Sequence, residues 1–466
     1  MDTNLSFVAP EGVYTQAHRI AHPPPSPPLF PALLAAALVP TTARPSAPRP
    51  RHSLKSSSSS FITRIQYPDG VARAIHTASP DAPFLFYNLG KTYIAASLKE
   101  PLCRITFSAH PTCHDVNSGL DIIIGFATGD LLWLDLVSAR YARLNKQGCI
   151  INSPCTAVRW LPSSPSLFLV AHADGSIIAY DKDRDDGTFV PSNPHHSWDP
   201  TDSILVTMPP WHPIMSANHT DKSEKEKSAK NPVSHWRVSN RKIVDFVFSP
   251  DVKYVAAISE DGCLRVIDTM SEQLVDCYAS YFGALTCVAW SPDGRFILTG
   301  GQDDLLTLFS PWEQRVVARC QGHSSFVSAV AFDELRCDGR TYRFGSVGED
   351  NKLILWDFSS GALHRPKTTQ ASHHRMSISS TLSLAYKRDR SAAFLPSTHN
   401  EPSPRYHPAP SRSDIAIVQP VLVKPIESDL LSDILFLPHS VLTATKTGEV
   451  KLWVRPLAPR SRLSKS

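Results

Sequence analysis

The stretch SAVAFDELRCDGRTYRFGSVGEDNKLILWD, residues 328–357, indicates the fold because its pattern occurs several times along the chain. Short apolar runs are separated by turns built on Asp and Gly, which is typical of antiparallel strands joined by tight hairpins. Three further copies are AVRWLPSSPSLFLVAHADGSIIAYD (157–181), VDFVFSPDVKYVAAISEDGCLRVID (244–268) and TCVAWSPDGRFILTGGQDDLLTLFS (286–310). The chain is therefore predicted to be a repeat protein made of β-strands.

The four copies share one register. An aromatic residue ends the first predicted strand of each copy, and these residues are Trp160, Phe248, Trp290 and Phe332. Each copy ends seven residues after a turn aspartate, and these aspartates are Asp174, Asp261, Asp303 and Asp350. The shared spacing makes the copies structural units rather than chance similarities.

Weaker copies occur at 84–98, 121–136 and 433–454, which brings the number of units to seven. Between residues 61 and 456, two polar insertions at about 184–234 and 362–430 leave about 39 residues per unit. That length is close to the ~40–45 residues of a four-stranded propeller blade. Because one small sheet cannot bury both of its faces, the units must stack around an axis. The predicted fold is an all-β, seven-bladed β-propeller of WD-repeat type.

The two ends of the chain differ from the repeats. Residues 1–60 are rich in Pro and Ser and are predicted to be a disordered tail, while 457–466 form a short basic tail. The propeller itself is assigned to 61–456. Its last unit supplies only three predicted strands, so FITRIQ (61–66) is predicted to be the fourth strand that closes the ring.

Composition excludes several classes of protein. A net charge of +4 over 466 residues is too small for a large nucleic-acid footprint. The apolar run Leu33 to Val39 is too short to span a bilayer, so no membrane partner is expected. Nine scattered cysteines without a Cys-x-x-Cys pair are expected to be reduced thiols, which favours the cytoplasm or the nucleus.

No sequence motif indicates catalysis or a cofactor. The chain lacks His-Glu-x-x-His, a phosphate-binding Gly-Lys-Ser/Thr loop and a dinucleotide-binding Gly-x-Gly-x-x-Gly. Cys113 and His114 are adjacent, but a zinc site needs a second pair of ligands, so no metal is expected. The prediction is a protein without catalytic residues, cofactor or metal.

The sixth unit contains a set of polar residues that WD-repeat proteins use structurally. His323, Ser346, Asp350 and Trp356 match a hydrogen-bonded chain in which the His donates to the turn Asp and the indole N–H reaches the Ser. A hydrolase triad is the alternative reading of Ser, His and Asp. No Gly-x-Ser-x-Gly sequence surrounds Ser346, so the structural network is preferred.

Phe282 and Phe326 lie just before the first strands of two consecutive units, so both are predicted at one rim of the ring. They either pack against their own blades or form a pair of apolar anchors for a protein partner. Aromatic side chains are favoured at the energetic centres of interfaces. This pair is the predicted partner-binding site.

Four segments carry a resemblance to a known family: 231–251, 283–310, 319–367 and CHDVN at 113–117. They resemble the fungal carbon catabolite repression WD-repeat protein and its animal relatives, the dystrophia-myotonica-type WD-repeat proteins. The resemblance implies a propeller that binds and activates a ubiquitin-specific protease, and in fungi a role in carbon catabolite repression, a form of transcription regulation. It also implies that Phe282 and Phe326 lie on the partner surface, although relatives carry Trp at the position of Phe326.

The predicted function is a non-catalytic scaffold that binds and activates a ubiquitin-specific protease. The alternative is an adaptor of another complex, such as a ubiquitin ligase substrate receptor or a coat scaffold, because propellers host many functions. An enzyme would need acidic or His residues converging on the central channel, and no such set is expected from the sequence.

Overall fold

The computed structural model describes residues 5–20, 34–37 (backbone only), 52–54, 59–78, 83–97, 100–192, 197–212, 229–359, 361, 405–426 and 429–456. Within these ranges the strands form seven sheets, the blades of a propeller. The predicted all-β, seven-bladed fold is therefore confirmed. We number the blades 1 to 7 in the order of the sequence units.

The strands are given from the axis outward. Blade 1 contains Leu34–Ala37, Phe84–Leu89, Thr92–Ala96, Pro101–Phe107 and Ile62–Gln66, and blade 2 contains Pro111–Val116, Asp121–Phe126, Leu131–Asp135, Arg140–Leu144 and His52–Ser53. Blade 3 contains Cys155–Trp160, Leu167–His172, Ser176–Asp181, Ser234–Arg237 and Leu205–Thr207, and blade 4 contains Ile243–Phe248, Tyr254–Ser259, Cys263–Asp268, Gln273–Ala279 and Tyr406–His407.

The remaining blades follow the same plan. Blade 5 contains Leu285–Trp290, Ile297–Gly301, Leu305–Ser310, Arg315–Gln321 and Ala416–Val418, and blade 6 contains Val327–Phe332, Thr341–Gly348, Lys352–Ser359 and Pro420–Pro425. Blade 7 contains Leu431–Phe436, Ser440–Thr445, Val450–Val454, Gly12–Ile20 and Ser6–Ala9. The helical segments in the described ranges are the α-helix Val71–Thr77 and the 3-10 turns Lys146–Gly148 and Glu334–Arg336. None of these helices is long and apolar enough to cross a membrane.

The second strand of blade 4 shows why the apolar runs are continuous. Val255 and Ala257 belong to the apolar cluster shared with blade 3, whereas Ala256 and Ile258 belong to the cluster shared with blade 5. Successive side chains of a strand point to opposite faces, and here both faces are buried. The innermost strands of consecutive blades contact each other from blade 1 to blade 7. A further cluster, including Leu85 and Leu442, joins blade 7 to blade 1.

We call the end of the ring at which the innermost strands begin the upper rim, and the other end the lower rim. The loops that enter each blade and the turns between its second and third strands lie at the upper rim. The turns between first and second and between third and fourth strands lie at the lower rim. This follows from the antiparallel order of the strands.

The strand that closes the ring is Gly12–Ile20, so the prediction that FITRIQ closes it is wrong. Gly12–Ile20 pairs with Val450–Val454, with Ser6–Ala9 outside it. Ile62–Gln66 instead pairs with Pro101–Phe107 as the outermost strand of blade 1. The closing strand supplies an aromatic anchor, because the buried Tyr14 ring stacks on Phe7 at 4.7 Å.

Parts of the region 1–60, which was expected to be disordered, form β-strands in the structure. They contribute strands to three blades: Ser6–Ala9, Gly12–Ile20, Leu34–Ala37 and His52–Ser53. Leu34–Ala37 is the innermost strand of blade 1. It lies within the apolar run 33–39, which is too short to span a bilayer. The composition of residues 1–60 did not predict these strands, because each strand is short and the Pro-rich sequence between them dominates the amino-acid composition of the region.

Both predicted insertions contribute strands, and Leu205–Thr207 in the middle of the first is the outermost strand of blade 3. Ser234–Arg237, which overlaps the end of the first insertion, is the fourth strand of blade 3. In the second, Pro420–Pro425 is the fourth strand of blade 6, and Tyr406–His407 and Ala416–Val418 add parallel strands to blades 4 and 5. Residues 362–404 and the basic tail 457–466 lie outside the described residues.

Candidate partner-binding surface

The polar network of blade 6 consists of the four side chains singled out in the sequence. The Trp356 Nε1 to Ser346 Oγ distance is 2.9 Å, and Ser346 Oγ lies 2.7 Å from His323 Nε2. His323 Nδ1 lies 3.0 Å from an Asp350 carboxylate oxygen. An indole N–H can only donate, so Ser346 accepts from Trp356 and gives its hydroxyl proton to His323, whose Nδ1–H donates to Asp350. The network is a continuous chain of satisfied donors and acceptors rather than a nucleophile poised at a substrate cleft.

Asp350 connects this chain to the loop that enters blade 6. Burial acts to raise its pKa, but hydrogen bonds from His323 and the Ser324 backbone outweigh burial, so the pKa is well below its usual range. Lys352 Nζ lies 3.3 Å from the same carboxylate. Gly322 lets the loop pass close to the indole, since a Cβ at this position would lie 2.9 Å from the Trp356 ring. The carboxylate therefore stays ionised and fixes the loop.

The fixed loop presents Phe326 at the upper rim. The Phe326 carbonyl accepts a hydrogen bond from the Glu349 N–H at 2.9 Å, and Glu349 forms an ion pair with Lys446 of blade 7. Both interactions hold the backbone, while the Phe326 side chain remains 42% exposed. The ring is therefore held on a rigid loop and is only partly packed.

Phe282 lies on the equivalent loop at the entry to blade 5. Gly283 adopts a positive φ of 67°, and its carbonyl accepts the Ser280 hydroxyl at 2.9 Å. The Ala284 N–H donates to Gln302 Oε1 at 3.1 Å. This tight turn leaves Phe282 72% exposed, so the ring does not pack into its own blade.

The two loops are also connected to each other. The Thr286 hydroxyl, at the start of blade 5, donates to the Val327 carbonyl at the start of blade 6 over 2.5 Å. Phe282 and Phe326 therefore lie at the same rim on adjacent blades. Two exposed aromatic rings on restrained loops offer apolar contacts that need little ordering upon binding.

Sequence reasoning missed one component of this surface. The Tyr281 ring contacts the guanidinium groups of both Arg319 and Arg412, whose central carbons lie 6.0 and 5.7 Å from the ring centre. Arg412 belongs to the second insertion, and its carbonyl accepts a hydrogen bond from Arg319 at 3.0 Å. No signal in the sequence assigns this segment to the rim, because it pairs with blades 4 and 5 only through two short parallel strands.

The central channel holds a charged set that the sequence did not suggest. Arg159 binds Asp245 with distances of 2.8 and 3.1 Å, and the Trp160 N–H donates to Asp115 at 2.7 Å. Asp433 lies on the innermost strand of blade 7 and interacts electrostatically with Arg159 and Asp245. The expectation that no acidic set converges on the channel is therefore wrong. The four residues come from four separate units, so their proximity depends on ring closure.

Burial in the channel raises the pKa of Asp433 to about 7, with the Asp245 carboxylate acting in the same direction and Arg159 against it. Burial also raises the pKa of Asp115 and Asp245, although the Arg159 charge opposes the rise in both. Asp433 is a carboxylate of this set whose charge changes near neutral pH. Among the described residues, no group of three or more His, Cys, Asp or Glu side chains has the arrangement of a metal site.

Comparison with known proteins agrees with this architecture. The model of the WD domain, G-beta repeat, matches residues 275–310, which covers parts of blades 4 and 5. The chain is 37% identical over 424 residues to UBP9-binding protein bun62 of Schizosaccharomyces pombe, and the match covers 85% of this chain and 75% of that relative. With this identity over most of both chains, the protein belongs to the family of WD-repeat proteins that includes bun62.

Proposed function

We propose that this chain is a non-catalytic scaffold that binds a ubiquitin-specific protease through Phe282 and Phe326 and raises its activity. The observation that carries the proposal is the exposure of these two rings on restrained loops of one rim. The name of the S. pombe relative describes a protein that binds UBP9, which supports a partner of this class. The family resemblance of the sequence supports a role in carbon catabolite repression through regulated deubiquitination.

Activation needs no catalytic group on the propeller. A scaffold that binds the productive conformation of a protease better than other conformations increases the population of the productive one. The geometry of the blade 6 network, which fixes a loop, is consistent with a scaffold role for its Ser, His and Asp. We also propose that the protein acts in the cytoplasm or the nucleus.

The test compares the full chain with Phe282→Ala/Phe326→Ala, using a purified ubiquitin-specific protease from the same organism. We expect the double variant to lose co-purification with the protease and to lose the increase in hydrolysis of a fluorogenic ubiquitin substrate. Removing two exposed rings leaves the buried core intact, so the melting temperature should not change. Binding and activation equal to those of the unaltered chain would contradict the proposal.

A matched control is available at the lower rim. Trp312 and Leu335 are each 66% exposed, and they lie on blades 5 and 6 at the other end of the ring. Trp312→Ala/Leu335→Ala removes a similar apolar area and should leave protease binding unchanged. A pull-down with the full chain from a lysate tests the alternative adaptor function, which ligase or coat subunits in place of a protease would favour.

A further inference from the structure

The turn between the second and third strands of blade 5 lies between the two aromatic anchors. Gln302 exchanges hydrogen bonds with Ala284, two residues after Phe282. Leu305 pairs with Gln321, so Asp304 lies beside the start of the loop that carries Phe326. The carboxylates of Asp303 and Asp304 are therefore located at the rim between Phe282 and Phe326.

Blades 3, 4 and 6 contain the other three sequence copies that share one register with blade 5. In each of them the turn aspartate has a cationic or imidazole partner within its own blade or entry loop. Asp174 pairs with Arg237 at 3.3 Å, and Asp261 pairs with Arg265 at 2.7 Å. Asp350 bonds to His323 at 3.0 Å. Within the part of the chain that the structure describes, neither Asp303 nor Asp304 forms an ion pair. Blade 5 is the exception among the four.

Three substitutions in the repeat explain the exception. The strand pairing places Gln321 where blade 3 has Arg237, and the spacing from the turn aspartate places Thr307 where blade 4 has Arg265. Tyr281 takes the place that His323 has in the loop entering blade 6. The Tyr281 hydroxyl has no hydrogen-bond partner among the described residues, and its ring faces Arg319 and Arg412 instead. Each internal partner of the turn carboxylate has thus been replaced.

The absence of an ion-pair partner among the described residues coincides with a raised pKa of Asp303. Burial raises the pKa of Asp303. The hydrogen bond from the Leu305 N–H and the Arg412 charge oppose this rise without cancelling it, and the Asp304 charge adds to it. A cation brought to this turn would stabilise both carboxylates, and complementary charges accelerate association and select partners. The exposed rings on either side would exclude water from such a pair.

We propose that the partner of this rim presents a Lys or Arg side chain to Asp303 and Asp304, between two apolar areas that receive Phe282 and Phe326. The inference rests on the proposed function, since it describes the protein that binds at the same anchors. It defines the chemistry of the partner surface as a basic residue flanked by apolar residues.

The test is Asp303→Asn/Asp304→Asn in the full chain, with binding of the purified ubiquitin-specific protease measured by surface plasmon resonance at low and high salt. Asn keeps the oxygen that accepts the Leu305 N–H at 3.3 Å, so the turn should remain folded. We expect about tenfold weaker binding at low salt, mainly through a slower association rate, and a smaller dependence on salt. Glu313→Gln/Glu334→Gln removes the same charge at the lower rim and should bind as the unaltered chain does.

Measuring Phe282→Ala/Phe326→Ala in parallel separates the two proposals. Unchanged binding of that variant would overturn the proposed function and this inference with it. Loss of binding there, together with unchanged affinity and salt dependence for Asp303→Asn/Asp304→Asn, would overturn the present inference alone.

Discussion

At the residue scale, blade 6 contains a hydrogen-bonded chain of Trp, Ser, His and Asp, whereas blade 7 contains only the part that joins a Trp to a hydroxyl. In blade 6, Ser346 connects Trp356 to His323. In blade 7, Thr443 accepts from Trp453 at 3.0 Å and completes only the corresponding half. The two hydroxyls occupy equivalent positions, four residues before the turn residue of their units. They therefore form a matched pair for measuring what the His connection contributes.

We predict that Ser346→Ala destabilises the protein more than Thr443→Val. Losing Ser346 leaves both Trp356 Nε1 and His323 Nε2 buried without a partner, whereas losing the Thr443 hydroxyl affects only Trp453. An unsatisfied buried polar group costs about 1–3 kcal/mol, so the difference should be about one such group. Urea unfolding of the two variants measures it, and equal losses would show that His323 does not depend on Ser346.

The raised pKa of Asp433 leads to a prediction about how the free energy of unfolding depends on pH. Its folded-state pKa of about 7 lies above the usual value, so the folded chain binds a proton that the unfolded chain releases. The free energy of unfolding therefore falls as pH rises from about 4 to 7, and the full penalty is present above that window. Asp433→Asn should stabilise the protein at pH 8 by about 1–3 kcal/mol, and by less at pH 5.

The measurement is urea unfolding of the variant and of the unaltered chain at both pH values. Glu334→Gln, an exposed carboxylate at the lower rim, is the control and should not change the pH dependence. A variant that is less stable than the unaltered chain at pH 8 would contradict the burial of an ionised Asp433.

At the element scale, the N-terminal hairpin Ser6–Ala9 and Gly12–Ile20 is fixed by its turn. The Glu11 carboxylate receives Arg343 Nη1 at 2.8 Å and the Tyr14 hydroxyl at 2.7 Å. Arg343 is buried and also binds Asp357 of blade 6. Burial acts to raise the pKa of Glu11, but the bonds from Tyr14 and Arg343 outweigh it and lower the pKa. The hairpin therefore connects blade 7 to blade 6 through a buried ion pair.

We predict that Glu11→Gln lowers the free energy of unfolding at pH 7 by about 1–3 kcal/mol, because the buried Arg343 loses one of its charged partners. Since the Glu11 pKa is lowered, its contribution is present above the usual pKa and is lost as pH falls through the folded-state value. The difference between variant and unaltered chain should therefore shrink in acid. Chemical unfolding at neutral and acidic pH measures both effects.

A control lies at the other end of the same strand. Arg19 pairs with Glu449 at 2.7 Å, but the Arg19 side chain is 58% exposed. Exposed ion pairs contribute at most about 1 kcal/mol, so Arg19→Gln should have a smaller effect than Glu11→Gln. A larger effect at Arg19 would show that the turn is not what holds the hairpin.

At the scale of the whole molecule, the ring is closed by chain segments that are far apart in sequence. Blade 7 takes its first three strands from 431–454 and its outer strands from 6–20. Blade 1 takes its innermost strand from 34–37 and its outermost from 62–66. The N-terminal region thus alternates between neighbouring blades and connects both sides of the closure.

We predict that deleting residues 1–20 lowers the melting temperature by about 10 °C, since Phe7 and Tyr14 lose their buried contacts. Amide hydrogen exchange should become faster in 431–454, whose edge strand is then unpaired. Deleting 61–66 should instead accelerate exchange mainly in 84–107, where Ile62–Gln66 pairs. Faster exchange in 431–454 upon deletion of 61–66, but not of 1–20, would restore the original assignment of the closing strand.

The sequence by itself determined the number of blades, their type and the polar network of blade 6. These properties are local, because each unit encodes its own strands and turns within about 40 residues. The same register located Phe282 and Phe326 in the loops just before two innermost strands. Their exposure could not be read from it, because an aromatic residue in a loop has the same sequence signature whether it packs inward or outward.

Only the tertiary structure decided which segments complete blades 1, 6 and 7. An outer strand needs a short run with free backbone groups, and such a run carries little signal inside a Pro-rich segment. The convergence of Asp115, Arg159, Asp245 and Asp433 depends on contacts between separate parts of the chain. So does the lack of an ion-pair partner for Asp303 among the described residues. A repeat pattern specifies each blade, but the closure of the ring sets these long-range contacts.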